Sequence, residues 1–293
     1  MTRLAVLTAK PELPIYRELV EAAAGAGHDL EVLDALRLVA QASPPLVWRD
    51  GGALELQGIA GVLPRVGNWR PDSVLAVLAT LEAAGVASLN GSAAIVRGRD
   101  HWLTAETLAA AGIAHPPTVA GAEPEALAAA AAEVCGFPCV VKQRRSRQGV
   151  GVIRCAGRAE LEAVLDSLWR LGDEVVVQRF CEPGGISRRV LVLGGEALGA
   201  TEHRGAPGEF RSNAARGGSV APVELDPALA ELAIRAAAAL GLGFAGIDLF
   251  PDRDGWLVGE VNPSPGWRHF AAATRIAVAA RVVAALAECG GRR

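Results

Sequence analysis

Apolar positions in the first part of the chain follow two spacings. Short continuous runs at Leu4–Thr8, Leu30–Leu33 and Gly61–Val66 have the length of buried strands, and Val86–Leu89 reads as a fourth. Between them, Ile15–Ala26 and Asp72–Ala84 repeat apolar residues at helical spacing, the first ended near Gly27 and the second opened by Pro71. Strands separated by helices of this length predict a parallel sheet covered on both faces. No G-x-G-x-x-G follows the first strand, so the dinucleotide fingerprint is missing.

The pattern changes at Asn90–Ser92. Asp100–Ala111 and Pro124–Val134 read as helices, with Pro116–Pro117 forcing an extended exit between them. Pro138–Gln143 and Val152–Cys155 read as strands joined by a glycine-containing loop, followed by a helix at Ala159–Leu171 and a strand at Glu174–Phe180. Next come a hairpin, Arg189–Leu193 with Ala197–Thr201 around Gly194–Gly195, a polar loop at Arg204–Gly218 and a helix at Ala228–Leu240. Two strands, Ala245–Phe250 and Trp256–Val261, precede one terminal helix over about Ala271–Glu288. The expectation is an α/β N-terminal domain followed by an α+β region.

Composition narrows the function classes. A length of 293 residues fits roughly two domains. With 51% apolar residues and a net charge of −3, the chain reads as a folded protein and not as an electrostatic nucleic-acid binder. Mean hydropathy is positive, but Glu133 and Arg281 interrupt the alanine-rich runs, and no uncharged stretch has the ~18–20 residues of a spanning helix. The N-terminus lacks the pattern of a secretory signal. Five scattered cysteines with no C-x-x-C suggest reduced thiols in a cytoplasmic protein. Of 29 Lys and Arg residues, all but Lys10 and Lys142 are arginine, so each lysine raises a question.

Lys142 ends an apolar strand and leads into Arg144-Arg145-Ser146-Arg147-Gln148-Gly149-Val150-Gly151. Such a loop is either a flap whose backbone N–H groups approach anionic oxygens or an ordinary solvated hairpin loop. Near the C-terminus, Asp248 interrupts a buried run, and Glu260 and Asn262, two apart on a strand, share a face. A three-residue loop Arg253–Gly255 would place Asp248 opposite Glu260, gathering hard oxygen donors suited to Mg²⁺. The alternative is that these residues decorate a sheet edge, although an uncompensated acidic pair would repel. In the third segment, Glu209-Phe210-Arg211-Ser212-Asn213, Arg211 could present forked donors to phosphate or carboxylate oxygens, or be part of a surface loop. The five histidines show no ligand spacing.

Taken together these segments resemble the ATP-grasp superfamily, and specifically the RimK-type α-L-glutamate ligases. The likeness is carried by LPRVGN (63–68), LNGSAAIVRGRD (89–100), VVKQRRSRQGVGV (140–152), VVVQRF (175–180), EFRSNAARGGS (209–219) and GIDLF…GEVNPSPGW (246–267). It implies a Rossmann-like pre-ATP-grasp domain over 1–93 and an ATP-grasp unit over 94–293, with a lid at about 116–177 and a C-terminal subdomain at 178–293. It further implies that ATP is held by Lys142, Gly149, Gly151, Gln178, Arg179, Phe180, Arg211, Ser212 and Asn213, with Arg211 catalytic. Asp248, Glu260 and Asn262 match ligands of Mg²⁺ or Mn²⁺, two ions in the family, and Arg65, Arg189 and Arg204 match substrate contacts.

The implied chemistry is ATP-dependent carboxylate–amine ligation through an acyl phosphate. An amino acid, with glutamate favoured, would be joined to a carboxylate on a protein, peptide, cofactor or other small molecule. The implied enzyme is a cytoplasmic homo-oligomer with no nucleic-acid or membrane partner. The resemblance also has departures: His101 stands where the family has lysine, Arg179 replaces a hinge acid, Ser187 stands where an acid is expected, and Trp267-Arg268-His269-Phe270 replaces an acidic glycine-rich stretch. From another class, the alternative is an ATP-binding regulatory or interaction protein of the same fold that has lost ligase activity. On the enzyme reading, Asp248→Ala and Glu260→Ala both remove ligation and leave the fold intact.

Overall fold

The computed structural model describes residues 2–145, 151–212, 217–253 and 255–290. The first apolar run forms β1 (Arg3–Thr8), which pairs in parallel with β2 (Asp29–Asp34) on one side and β6 (Ile59–Arg65) on the other. Between β1 and β2 runs α1 (Pro14–Gly25), and α2 (Pro71–Ala83) follows β6. Helix α2 buries Val74, Val77, Leu78 and Leu81 against Ala5, Leu7 and Val62 on one face of the sheet.

Two local departures from the sequence expectation occur here. Residues 38–53 form a small antiparallel meander, β3 (Leu38–Gln41), β4 (Leu46–Arg49) and β5 (Gly52–Ala53). Val86–Leu89 is not a strand. It meets β6 at the Val62–Ser88 bridge through two hydrogen bonds of 2.9 Å, after which the chain leaves the sheet. It enters α3 (Ser92–Arg99), a helix that the short apolar pattern does not reveal, and then α4 (His101–Ala110). Asp100 caps α4 by accepting hydrogen bonds from the Trp102 and Leu103 amides.

The next unit holds β7 (Thr118–Ala120), α5 (Pro124–Val134), β8 (Cys139–Gln143), β9 (Val152–Cys155), α6 (Arg158–Arg170) and β10 (Val175–Arg179). Its strands form an antiparallel sheet in the order β7-β10-β8-β9. Leu127 and Ala131 of α5 and Leu161 and Leu165 of α6 pack on Cys139, Val141, Val175 and Val177. Because side chains alternate across a strand, Val140, Lys142 and Gln178 face the other way, toward the C-terminal unit.

That unit is a five-stranded antiparallel sheet in the order β13-β12-β11-β14-β15. Its strands are β11 (Ile186–Leu193), β12 (Glu196–Arg204), β13 (Ser219–Val223), β14 (Phe244–Asp252) and β15 (Gly255–Asn262), with α7 (Pro227–Leu240) between β13 and β14. Helix α7 covers Val190, Val192, Ile247, Leu249 and Val258 on one face. The expected single terminal helix is two, α8 (Arg268–Thr274) and α9 (Val278–Cys289), broken at Arg275 with φ 63° and bent by 117°. Helix α9 returns to the N-terminal sheet and closes its second face beside α1. No single helix among the described residues is long and apolar enough to cross a membrane.

Candidate active site

The free faces of the four-stranded β7-β10-β8-β9 sheet and of the C-terminal sheet meet around a cleft. Val140, Lys142 and Gln178 line it from the four-stranded sheet, Asp248 and Glu260 from the C-terminal sheet, and Phe210, Arg211 and Ser212 from the loop before β13. Lys142 is buried and donates to Gln178 Oε1 at 2.7 Å, while Gln178 Nε2 donates to Thr118 Oγ1 at 2.9 Å. Burial pushes the Lys142 pKa below its ordinary value, and the charges of Glu260, Cys181 and Asp248 work against that shift. One of only two lysines in the chain thus faces the carboxylates from the opposite wall.

Asp248 and Glu260 are direct cross-strand partners, as the turn chemistry predicts. The route differs from the expected three-residue loop. Asp252 pairs with Gly255, which leaves a tighter turn, and a bulge between Asp248 and Leu249 restores the register. The extra residue is Gly259, and a Cβ there would collide with the Phe250 ring, so the bulge needs glycine. Asn262 lies opposite Gly246, and its Oδ1 accepts from the Ser264 amide at 2.9 Å.

Arg189 and Asp248 are also cross-strand neighbours, and the guanidinium holds the carboxylate by two hydrogen bonds of 2.6 Å. Burial works to lower the Arg189 pKa, but the Asp248 contacts and the Glu260 charge carry it above the ordinary value. Arg211 forms a similar fork with Glu209, at 2.8 and 2.7 Å, and Ser212 Oγ meets Ser187 Oγ at 2.7 Å. Phe180 lines the cleft, packs edge-on to Phe210 and carries the Arg154 guanidinium 4.9 Å from its ring centre. Arg179 also lines the cleft and donates to Asp252 Oδ2 at 3.1 Å. His101 adds the first residue of α4 to the wall.

The other residues singled out from sequence fall elsewhere. Gly149 and Asn213 lie outside the described residues. Gly151 has φ +71°, and a Cβ there would lie 2.6 Å from Gln143 Oε1. Arg144, the first residue of the glycine-containing loop segment, donates to Asp100 at 3.2 and 2.8 Å and to Glu174 at 3.1 Å. It lines a second cleft with Trp102 and Trp169. Arg204 is exposed and pairs with Glu202. Arg65 bonds the Pro265 carbonyl at 2.8 Å and stacks 5.2 Å from the Trp267 ring centre. The apolar lining, Val140, Val152, Ile186 and Phe250, carried no chemical signal in the sequence.

His203 shares the sheet face of Arg189 and was not singled out from spacing. It is buried with its Nε2 3.1 Å from Thr201 Oγ1. Burial and the Arg189 charge push its pKa down to about 4, so the ring is neutral at pH 7. The folded state therefore disfavours protonation: the stabilisation is complete above the ordinary value of 6.5 and is lost as pH falls toward 4. Urea unfolding of wild type and His203→Gln between pH 7 and 4 should show wild type losing about 3 kcal/mol more than the variant. Parallel pH profiles would refute the assignment.

The RimK-like ATP-grasp domain family matches residues 98–286, and the RimK PreATP-grasp domain family matches residues 2–95. A protein of Thioalkalivibrio sulfidiphilus named probable alpha-L-glutamate ligase is 37% identical, covering 96% of this chain and 94% of that one. In fold, the chain is similar to the ATP-grasp ligase PsnB complexed with minimal precursor, with TM-score 0.76 at 22% identity over 99% of both chains. It is also similar to a RimK domain ATP-grasp protein of Sphaerobacter thermophilus, with TM-score 0.73 at 24% identity over 97% of this chain and 98% of that one. Family matches covering both halves, and a relative alike from end to end, show that the chain belongs to the RimK-like ATP-grasp family of ligases.

Proposed function

We propose that this ligase activates a carboxylate with ATP and joins it to the amine of an amino acid, glutamate being favoured, on a protein, peptide or small-molecule acceptor. The observation that carries the reading is the cleft itself, in which Lys142 and Gln178 on one wall face Asp248 and Glu260 on the other, with Arg211 and Ser212 between them. A carboxylate is a poor acyl donor because oxide would have to leave. Transfer of the ATP γ-phosphoryl group to the carboxylate gives an acyl phosphate, and attack by the amine then releases phosphate and forms the amide. The relative's name supports glutamate as the amino acid, and the fold neighbour PsnB, complexed with a precursor peptide, supports a peptide acceptor.

In this reading Lys142 binds phosphate oxygens, held in place by Gln178, and the apolar wall with Phe180 receives the base. Arg211 neutralises charge on the transferring group and on the tetrahedral intermediate, moving off or sharing Glu209 to do so. Gly149, Gly151, Arg179 and Asn213 complete the nucleotide contacts. Asp248, Glu260 and Asn262 are oxygen donors of the kind a divalent cation takes, so the residues fit Mg²⁺ or Mn²⁺, with two ions proposed. When bound, the cation supplies charge neutralisation at the phosphates. Arg189, tied to Asp248, orients that carboxylate and is the substrate contact the family resemblance implies.

A homo-oligomer in the cytoplasm remains part of the proposal. The direct test is ADP release across the amino acids with ATP and Mg²⁺, followed by mass spectrometry of peptides and cell extract incubated with enzyme, ATP and glutamate. The expected result is ADP formation that depends on glutamate and an acceptor mass increased by about 129 Da per glutamate added. Turnover with other amino acids but not with glutamate would overturn the choice of glutamate.

A further inference from the structure

The segments 63–68 and 89–100 belong to the N-terminal unit and its exit, away from the cleft, yet they converge on the turn that follows Asn262. Asn90 is fully buried and uses its whole amide. Its Nδ2 donates to the Phe244 carbonyl at 2.7 Å and the Pro263 carbonyl at 2.8 Å, and its Oδ1 accepts from the Phe244 amide at 2.8 Å. Asn90 therefore ties the start of β14, which carries Asp248, to the end of β15, which carries Glu260 and Asn262. It does so at the end of the pair opposite the hairpin turn.

Two further bonds reach the same turn from the end of β6. Arg65 Nη1 donates to the Pro265 carbonyl at 2.8 Å, and the Val66 amide donates to Ser264 Oγ at 3.2 Å. Arg99 secures that contact from behind by donating to the Val66 carbonyl at 2.9 Å. Ser264 then passes the constraint on, since its own amide bonds Asn262 Oδ1. A carbonyl oxygen has two lone pairs, so this bond fixes the orientation of the Asn262 amide while one lone pair of the oxygen stays available.

We propose that Arg65, Asn90 and Ser264 are positioning residues through which the N-terminal unit sets the orientation of Asn262, and hence the affinity of the cation site. The inference rests on the cation reading of Asp248, Glu260 and Asn262 above. It gives the LPRVGN and LNGSAAIVRGRD segments a role that the cleft lining does not. It also gives the half-buried arginine at position 65 a use: one Nη donates to a carbonyl and the guanidinium lies over the Trp267 ring.

The test is Mn²⁺ binding to the full chain with the non-hydrolysable β,γ-imido analogue of ATP, read by loss of the free-Mn²⁺ EPR signal. Ser264→Ala removes only the acceptor for Val66, and Arg65→Met removes the bond to Pro265. Each should weaken Mn²⁺ binding about ten-fold, the range for partners that orient a metal ligand. Metal-free affinity for the analogue should stay within about two-fold. Arg65→Lys, which can still donate to the Pro265 carbonyl, should recover most of the loss. Ser92→Ala, which cuts the Ser92–Glu82 contact at the same junction without touching the turn, should bind Mn²⁺ as wild type does.

If Glu260→Gln holds Mn²⁺ as tightly as wild type, the cation reading itself fails. If Glu260→Gln releases Mn²⁺ but Ser264→Ala and Arg65→Met hold it normally, the positioning role is overturned and the cation reading stands. Should Arg65→Met fail to fold, Ser264→Ala decides alone.

Discussion

Glu260→Gln should lower the rate of ADP release about a thousand-fold with only a small loss of stability, whereas Asp248→Asn should impair both. Replacing a carboxylate ligand by an amide removes one formal charge from the cation site, and metal-assisted charge stabilisation is worth several kcal/mol of barrier. Glu260 sits on β15, the edge strand of its sheet, and is only half buried, so an isosteric amide is accommodated there. Asp248 is different, because both of its oxygens are held by Arg189 and the pair is largely withdrawn from solvent. Removing its charge leaves a buried guanidinium facing an amide, and breaking such a pair costs about 3–5 kcal/mol.

In place of the sequence expectation that both positions can be changed with the fold intact, we therefore expect an intact fold on substitution of Glu260 and a destabilised one on substitution of Asp248. Urea unfolding monitored by circular dichroism, alongside an ADP-release assay, separates the two effects. Wild-type turnover in Glu260→Gln would rule out its place in the cation site. Wild-type stability in Asp248→Asn would mean that Arg189 finds another partner at little cost.

What could be read in the chain divides by the range of the interaction. The Asp248–Glu260 register was legible because a period of two and a turn signal are local, and the bulge at Gly259 merely reached the same pairing by another route. Lys142 was legible because lysine is so rare here. The fork between Arg144 and Asp100 joins residues 44 positions apart, and nothing local marks one arginine of the run as structural. Apolar pattern failed where it had no punctuation. The stretch from Ala271 to Glu288 contains neither glycine nor proline, so the break at Arg275 left no sign. The meander at 38–53 has strands of two to four residues, too short to show alternation. Asn90 marked only a change of pattern, and its three long-range bonds are visible only once β14 and the turn after β15 are brought to it.

The break at Arg275 leads to the second large effect: a chain ending at residue 277, and equally the fragment 2–95, should not fold. The N-terminal sheet is closed on one face by α2, but its other face is shared by α1 and α9. Val278, Val282, Val283 and Leu286 of α9 are buried in one cluster with Leu4, Val6 and Leu63 of the sheet and Ile15, Tyr16 and Leu19 of α1. Four such side chains at about 1.5–3 kcal/mol each contribute about 6–12 kcal/mol, which is comparable to the ~5–15 kcal/mol stability of a whole domain. The approach is close enough to dictate sequence on β6. A Cβ at Gly61 would lie 2.6 Å from the Leu286 carbonyl oxygen, so Gly61→Ala should push α9 away and destabilise the intact chain in the same direction. A sequence boundary near residue 93 thus cuts a unit whose last helix is supplied by the far end of the chain. Circular dichroism and hydrogen exchange on the two truncations give the answer. Fragment 2–95 showing a cooperative unfolding transition would establish the first domain as autonomous and α9 as a cover it can lose.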